Sequence, residues 1–141
     1  MTQRLAAIAV LGVLALATAS ARADDLEKIQ GVWDAEKAAL FGKELPAEEA
    51  AKMSVEIKGN KAKLRNGDGN EVPIELTLDG SKSPKTIDLK KADGKSSPGI
   101  YEFDGNTLKI CFPIYGDVRP TKFEAPAESA FLYIVFKKKA K

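Results

Sequence analysis

The chain has 141 residues, of which 22 are basic and 20 acidic, and it contains one cysteine and no histidine. Without histidine it cannot build a serine or cysteine triad with an imidazole base, or a zinc site with a histidine ligand. One cysteine cannot form a disulfide within the chain, and a chain of this length suits one domain with a core of its own.

Residues 1–23 have the features of a secretory signal peptide. Arg4 charges the beginning, residues 5–17 form an apolar run, and Ala21-Arg22-Ala23 has the small-x-small form of a cleavage site. The apolar run is too short to span a bilayer, which takes about 20 residues. We therefore predict a signal peptide over residues 1–23 and a mature domain over residues 24–141. The mature domain is expected in the periplasm or outside the cell, without a stable membrane anchor.

The charge balance gives no reason to expect nucleic acid as a partner. Cleavage after residue 23 would remove Arg4 and Arg22 and no acidic residue, which leaves 20 basic residues against 20 acidic ones. The net charge of the mature domain would then be zero, so the slight basicity of the full sequence belongs to the signal peptide. The basic run over residues 137–141 is expected to be a solvated terminus.

After residue 23 the chain is a series of strand patterns separated by turn residues. Gln30-Gly31-Val32-Trp33 begins the first predicted strand, and Pro46 begins a brief helical turn over residues 46–52. Seven further strands are predicted from apolar-polar alternation or, in the last case, from a continuous apolar run. They cover residues 53–57, 62–64, 72–78, 86–89, 99–103, 107–112 and 131–136.

Two turns separate these strands most clearly. Asp104-Gly105-Asn106 predicts a hairpin, because glycine supplies the positive φ that such turns need. Asn66-Gly67-Asp68-Gly69-Asn70 has the spacing of the first ligands in an EF-hand loop. However, Glu71 stands where that loop requires glycine, and Thr77 stands where it requires glutamate. We interpret this segment as a second hairpin turn and predict no metal site.

Eight short, sequential, antiparallel strands form either an up-and-down barrel or a two-sheet sandwich, and hairpin-length links favour the barrel. An eight-stranded barrel is just wide enough to be filled by side chains or to hold one small ligand. The strands are short and their inward residues are large, so we favour a mostly filled core, with a small apolar cavity as the alternative. Alternation places these residues inside: Val55, Ile57, Leu64, Ile74, Leu76, Leu78, Ile87, Leu89, Leu108, Ile110 and Phe112.

Three stretches together are similar to a known family. They read LEKIQGVWDAEKA over residues 26–38, PKTIDLKKADGKSSPGIYEFDGNTLKICF over residues 84–112, and RPTKFEA over residues 119–125. They resemble a lipocalin-like domain family of unknown function that is expanded in planctomycete bacteria. Its members have a G-x-W motif near the beginning of the domain, a PKxID segment, a GIYExDGDTLxIC hairpin and an RPxxF motif near the end. Asn106 replaces the usual Asp in the hairpin, which leaves the turn chemistry intact.

The resemblance covers nearly the whole mature chain and implies a small, exported, calycin-type barrel with no established reaction. In lipocalin-like barrels a tryptophan of the first strand packs at the closed end, and an arginine from late in the chain covers its indole. Gly31, Trp33 and Arg119 are the residues available for that closure here, with Gly31 allowing close approach. Such a cation–π contact contributes roughly 0.5 to 2 kcal/mol. The pairing is a hypothesis, because Arg119 precedes the last predicted strand instead of lying in it.

The function predicted first is binding of a small apolar or amphipathic ligand inside the barrel. The aromatic residues that would line the site are Trp33, Tyr101, Phe103, Phe112 and Tyr133. The alternative is a module of the cell envelope with a solid barrel core, whose loops and outer face meet another protein. The identity of such a protein partner is unknown.

No enzyme, catalytic residue or cofactor is predicted. Asp88 is expected to face solvent because its neighbours Ile87 and Leu89 face inwards. Nothing in the spacing makes Asp88 and Glu102 converge as a catalytic dyad. Cys111 lies within an apolar strand and is expected to be a buried small hydrophobe instead of a nucleophile.

Overall fold

The computed structural model describes residues 24–139, so the predicted signal peptide lies outside the described residues. Within these residues there are two short helices, α1 over residues 24–28 and α2 over Ala47–Ala50. The strands are β1 (Gly31–Leu40), β2 (Lys43–Glu44), β3 (Ser54–Lys58), β4 (Lys61–Arg65), β5 (Glu71–Asp79), β6 (Lys85–Lys91), β7 (Ser96–Asp104), β8 (Thr107–Pro113) and β9 (Phe131–Lys138).

Within the described residues, β1 and β3 to β9 form a closed antiparallel barrel of eight strands. Each strand pairs with the next one in the chain, and β1 pairs with β9 to complete the ring. The two-residue β2 pairs only with the end of β1, through Ala39 and Leu40. The predicted all-β, eight-stranded, up-and-down barrel is therefore confirmed, and it is consistent with a lipocalin-like fold. The sandwich alternative does not apply.

The first strand closes the barrel because it pairs on both of its edges. Gly31 to Asp34 pair with β3, while Trp33 to Leu40 pair with β9, and the register shifts between Ala35 and Lys37. An irregularity of this kind bends a strand and lets it turn from one partner to the other. Gly31 has a φ of 111°, which a residue with a side chain rarely adopts.

The helical turn after Pro46 is confirmed as α2, whereas α1 was not predicted from the sequence. The N–H of Ile29 donates to the carbonyl of Asp25 at 3.0 Å, and the Ile29 side chain is fully buried. The segment from α1 to Ile29 therefore packs against the end of the barrel at which β1 begins. We call this the closed end.

The longest connection, residues 114–130 between β8 and β9, lies against the outside of the barrel, and we call it the strap. Its Pro120 and Ala125 are buried, and the carbonyl of Ala125 accepts a hydrogen bond from the N–H of Gly42 at 2.6 Å. Cys111, on the outer face of β8, is fully buried and contacts the strap at Glu124. The barrel thus has a second, smaller buried layer on this side.

Candidate functional site

The barrel interior is filled by its own side chains. A void of about 20 Å³ lies between them, and its lining is entirely apolar, with Ile87, Leu89, Ile110 and Phe136 among the contributors. A Cβ atom added to Gly99 would lie 3.3 Å from Ile87 Cγ2 and 2.8 Å from the carbonyl oxygen of Cys111, so even a methyl group would not fit there. Ligand pockets typically measure about 300 to 1,000 Å³. Of the two predicted alternatives, a mostly filled core and a small apolar cavity, the structure therefore has the first.

Four of the five aromatic residues predicted to line an internal site do face the interior, but they act as packing. The rings of Tyr101 and Phe103 meet edge to face at 5.8 Å, and those of Trp33 and Phe103 lie 6.3 Å apart. Phe112 is 8% exposed and belongs to the same core. These contacts are typical of aromatic pairs in a protein core.

The prediction that Tyr133 faces the interior is wrong. Its ring lies 6.2 Å from that of Phe123 in the strap, and its neighbours Leu132 and Ile134 are the β9 residues that enter the core. The cause is the unbroken apolar run of β9, in which both faces are covered, one by the core and the other by the strap. Such a run has no apolar-polar alternation, so the sequence does not show which of its side chains face the core.

At the closed end, Trp33 is covered by a different cation from the one predicted. Lys138 Nζ lies 5.6 Å from the centroid of the indole, because Lys138 is the residue of β9 that pairs directly with Trp33. The indole Nε1 donates to the carbonyl of Ile29 at 2.9 Å, and Trp33 is 2% exposed. Trp33 is therefore buried at the closed end beneath Lys138, whereas the predicted covering by Arg119 is not the arrangement of the structure.

Arg119 instead fastens the strap to the outside of the barrel. One guanidinium nitrogen donates to the carbonyl of Gly99 and the other to Asp88 Oδ1, each at 2.7 Å. Asp88 faces outwards as predicted. Glu102 is also outside, with Lys109 Nζ 3.7 Å from its carboxylate. Each carboxylate therefore has a cation of its own, and the two do not converge on a shared cleft.

The thiol of Cys111 is buried, as predicted. It is fully inaccessible, and its Sγ donates to the carbonyl of Glu124 at 3.4 Å. Burial raises the pKa of this thiol from 9.0 to about 11. Since the thiolate is the reactive form of cysteine, this residue is chemically inert near neutral pH.

A buried polar cluster joins α1 to the closed end. Asp25 is 4% exposed, and its Oδ2 accepts hydrogen bonds from the Tyr101 hydroxyl at 2.7 Å and from Lys85 Nζ at 3.0 Å. Burial, and then the bond to Asp25, raise the pKa of Tyr101 well above its ordinary value. The cluster fixes the N-terminal segment to β6 and β7. Sequence reasoning missed it, because the two partners lie 60 and 76 residues away from Asp25.

A groove of about 740 Å³ lies on the outer surface of β3 to β6. Its floor comes from the middle of β5, and its two walls come from β3 with β4 and from β6 with the turn that follows. We call it the lysine groove. It is lined by Glu56, Lys58, Lys61, Ala62, Lys63, Pro73, Ile74, Glu75, Lys90, Lys91, Ala92 and Gly94.

Strand register explains how the lysines come together. Lys58 pairs with Lys61, Lys61 with Glu75, and Glu75 with Lys90, so these four residues form a row across four strands. Adjacent strands lie about 4.8 Å apart, which places the backbones of Lys61 and Lys90 about 10 Å apart across β5. Ala62 and Ile74, their chain neighbours, are buried in the core, so the side chains of the row point outwards.

The lysine groove is positively charged, since four of its lysines and two glutamates lie at outward-facing positions of the strands. Lys58 has a partner, Glu56, at 3.7 Å. Within residues 24–139, no carboxylate lies within 4.0 Å of the amines of Lys61, Lys63, Lys90 and Lys91. Sequence analysis did not find this site. Taken alone, each lysine has the sequence pattern of a solvent-facing strand residue. Only the register of the four strands brings these lysines together.

The described part of the chain contains no group of three or more potential metal-binding Cys, Asp or Glu side chains. The Asn66 loop is a hairpin turn, in which Asn66 Oδ1 accepts from the N–H groups of Asp68 and Asn70. None of the helices within residues 24–139 is long and apolar enough to cross a membrane. A comparison of the chain with family models, with curated proteins and with solved structures found no match.

Proposed function

We propose that this protein is an exported, non-enzymatic binding protein with a solid barrel core, and that it takes its ligand on the outside, in the lysine groove. The proposal rests on the difference in volume between the barrel interior and the lysine groove. The interior leaves about 20 Å³, whereas the groove offers about 740 Å³. The groove falls within the usual range of small-molecule sites, about 300 to 1,000 Å³, and the interior does not.

The state of the reactive groups supports a role without catalysis. Asp88 and Glu102 each face outwards and pair with a cation, and the thiol of Cys111 is buried with a pKa of about 11. Asp25 is buried, and its Oδ2 accepts hydrogen bonds from Tyr101 and Lys85. An acid-base or nucleophilic site needs a reactive group within reach of a substrate, and these groups are either neutralised or enclosed.

Export is supported by the composition of residues 1–23 and by the resemblance to a lipocalin-like family that is commonly exported. Expression of the full chain in a bacterium with a periplasm tests this part of the proposal. The mass of the purified protein is expected to correspond to residues 24–141. Retention of residues 1–23 in protein recovered from the cytoplasm would argue against export.

The site itself can be tested without knowing the ligand. We would titrate protein purified from the full chain with a panel of small neutral, anionic and cationic fragments and follow backbone amide and methyl signals by NMR. Shifts are expected at groove residues, such as the backbone amide of Lys61 and the methyl group of Ala92. The methyl groups of Ile87 and Leu89 report on the interior and are expected not to move. Shifts confined to these interior methyls, or no shifts with any fragment, would contradict the proposal.

A further inference from the structure

We infer that the lysine groove selects an anionic amphiphile, a single molecule with one carboxylate, phosphate or sulfate group on an apolar body. This inference rests on the proposed function and names the ligand class of the same site. The volume and location of the groove suggest only that something binds. Its charge and its floor indicate what kind of molecule it is.

The charge argument depends on the excess of lysines. Four outward-facing lysines accompany two glutamates, and three of these amines have no carboxylate within 4.0 Å among the described residues. The predicted mature domain carries equal numbers of basic and acidic residues, so the positive charge of the groove is a local concentration and not a general property. A concave surface of one charge focuses the electric field and attracts the opposite charge. The ligand is therefore expected to be an anion.

The floor of the groove argues against a purely polar anion. Pro73 in the floor and Ala92 in the adjoining wall are exposed and present carbon atoms to the solvent. Proline has no N–H, so this part of the floor cannot donate a hydrogen bond to a hydroxyl-rich ligand. Gly94 adds open space, since a Cβ atom at this position would meet nothing within 4 Å. The long aliphatic stems of the lysines extend this apolar surface while their amines remain in water.

The position of Glu75 predicts how substitutions in the groove should change the affinity for an anion. Glu75 lies in the row between Lys61 and Lys90, at the point where an anionic group could be reached from both walls. Its negative charge, on the strand between the two lysines, opposes the binding of an anion there. Neutralising Glu75 should therefore strengthen the binding of an anion, whereas neutralising Lys61 or Lys90 should weaken it.

The test uses decanoate and decyl phosphate below their micelle-forming concentrations, measured by isothermal titration calorimetry on protein purified from the full chain. Both are expected to bind. Lys61→Gln combined with Lys90→Gln should lower the affinity at least 10-fold, and Glu75→Gln should raise it several-fold. Lys82→Gln is the matched control, because Lys82 is exposed and lies outside the groove, and its affinity should be unchanged. Added salt should weaken binding, as screening of exposed charges predicts.

Three comparisons decide between the inference and its alternatives. If decanol or decyltrimethylammonium binds the groove as tightly as decanoate, selection by charge is wrong while the proposed binding site stands. If inorganic phosphate binds as tightly as decyl phosphate, the apolar floor has no role and the inference is overturned. Binding to phosphatidylglycerol vesicles without binding to either monomeric probe would make the groove a membrane contact. If no probe of any charge moves a groove signal, the proposed function and this inference fail together.

Discussion

The indole of Trp33 is held from three sides at the closed end. Phe103 packs against it at 6.3 Å, the carbonyl of Ile29 accepts its N–H at 2.9 Å, and Lys138 Nζ lies 5.6 Å from its ring. The hydrogen bond to Ile29 is buried, and Phe103 is partly buried. The lysine is exposed, and cation–π contacts of exposed cations contribute about 0.5 to 1 kcal/mol.

Replacement of Lys138 should therefore have a small but measurable cost. Lys138→Met keeps most of the aliphatic stem and should lower the free energy of unfolding by about 0.5 to 1 kcal/mol, measured by urea denaturation. Lys137→Met is the matched control. The Lys137 amine lies 3.8 Å from Glu36 in an exposed pair, and such pairs contribute little.

A double-mutant cycle identifies which cation covers the indole. Trp33→Phe and Lys138→Met should be non-additive, because the two residues are in contact. Trp33→Phe and Arg119→Lys should be additive, because Arg119 bonds to Asp88 and Gly99 instead. Coupling of Trp33 to Arg119 that exceeds its coupling to Lys138 would contradict the contacts described above.

The buried thiol of Cys111 should make stability depend on pH in the alkaline range. Its pKa is raised from 9.0 to about 11 in the folded protein. The unfolded chain therefore loses this proton first, and the stabilisation is fully present below pH 9 and is lost as the pH rises towards 11. The slope approaches about 1.4 kcal/mol per pH unit for one proton.

Comparison of the wild-type protein with Cys111→Ala isolates this effect, because every other titrating group is common to both proteins. The variant should be less stable at pH 8, since it loses buried volume, but its free energy of unfolding should fall less between pH 9 and pH 11. Denaturant titrations at half-unit intervals of pH measure both curves. Parallel curves over that range would show that the folded protein does not hold the thiol proton.

At the level of elements, the strap is tied to the barrel wall through the side chain of Arg119. Arg119 makes two bonds of 2.7 Å, one to a backbone carbonyl of β7 and one to a carboxylate on β6. Hydrogen bonds to charged groups each contribute about 1.5 to 3 kcal/mol, with less expected here because both side chains are partly exposed. The strap in turn covers Cys111.

Arg119→Met should loosen the strap and expose the thiol. Labelling of Cys111 by a thiol reagent under native conditions should accelerate about 10-fold, which corresponds to a local opening that is easier by about 1.4 kcal/mol. Lys122→Met, an exposed change in the same connection, should leave the rate unchanged. Equal labelling rates in Arg119→Met and the wild-type protein would mean that other contacts hold the strap.

The elements also show which features could be predicted from the sequence. The eight strands were predictable because alternation is local and short turns such as Asp104-Gly105-Asn106 join neighbours. The direction of Tyr133 was not predictable, because β9 is apolar on both faces. The lysine row was not predictable either. The neighbours of Glu75 are fixed by strand register, and its two lysine partners lie 14 and 15 residues away along the chain.

At the scale of the whole molecule, the solid interior decides where a ligand can bind. The void between the interior side chains measures about 20 Å³, which is near the size of one water molecule, but it has no polar group to hold one. Interiors packed to this degree respond strongly to the removal of a few atoms. The barrel should therefore behave as a dry core that rejects apolar probes unless space is made for them.

Ile87→Ala makes that space. Ile87 is fully buried and borders the small apolar void, so the change should lower the free energy of unfolding by about 2 to 5 kcal/mol. Xenon should raise the melting temperature of this variant and not that of the wild-type protein, because only the variant has an empty apolar cavity of sufficient size. Val118→Ala, at a position that is 65% exposed, is the control and should change neither the stability nor the response to xenon. A wild-type protein stabilised by xenon as strongly as Ile87→Ala would have a hollow barrel, and the interior would again be a candidate for the ligand site.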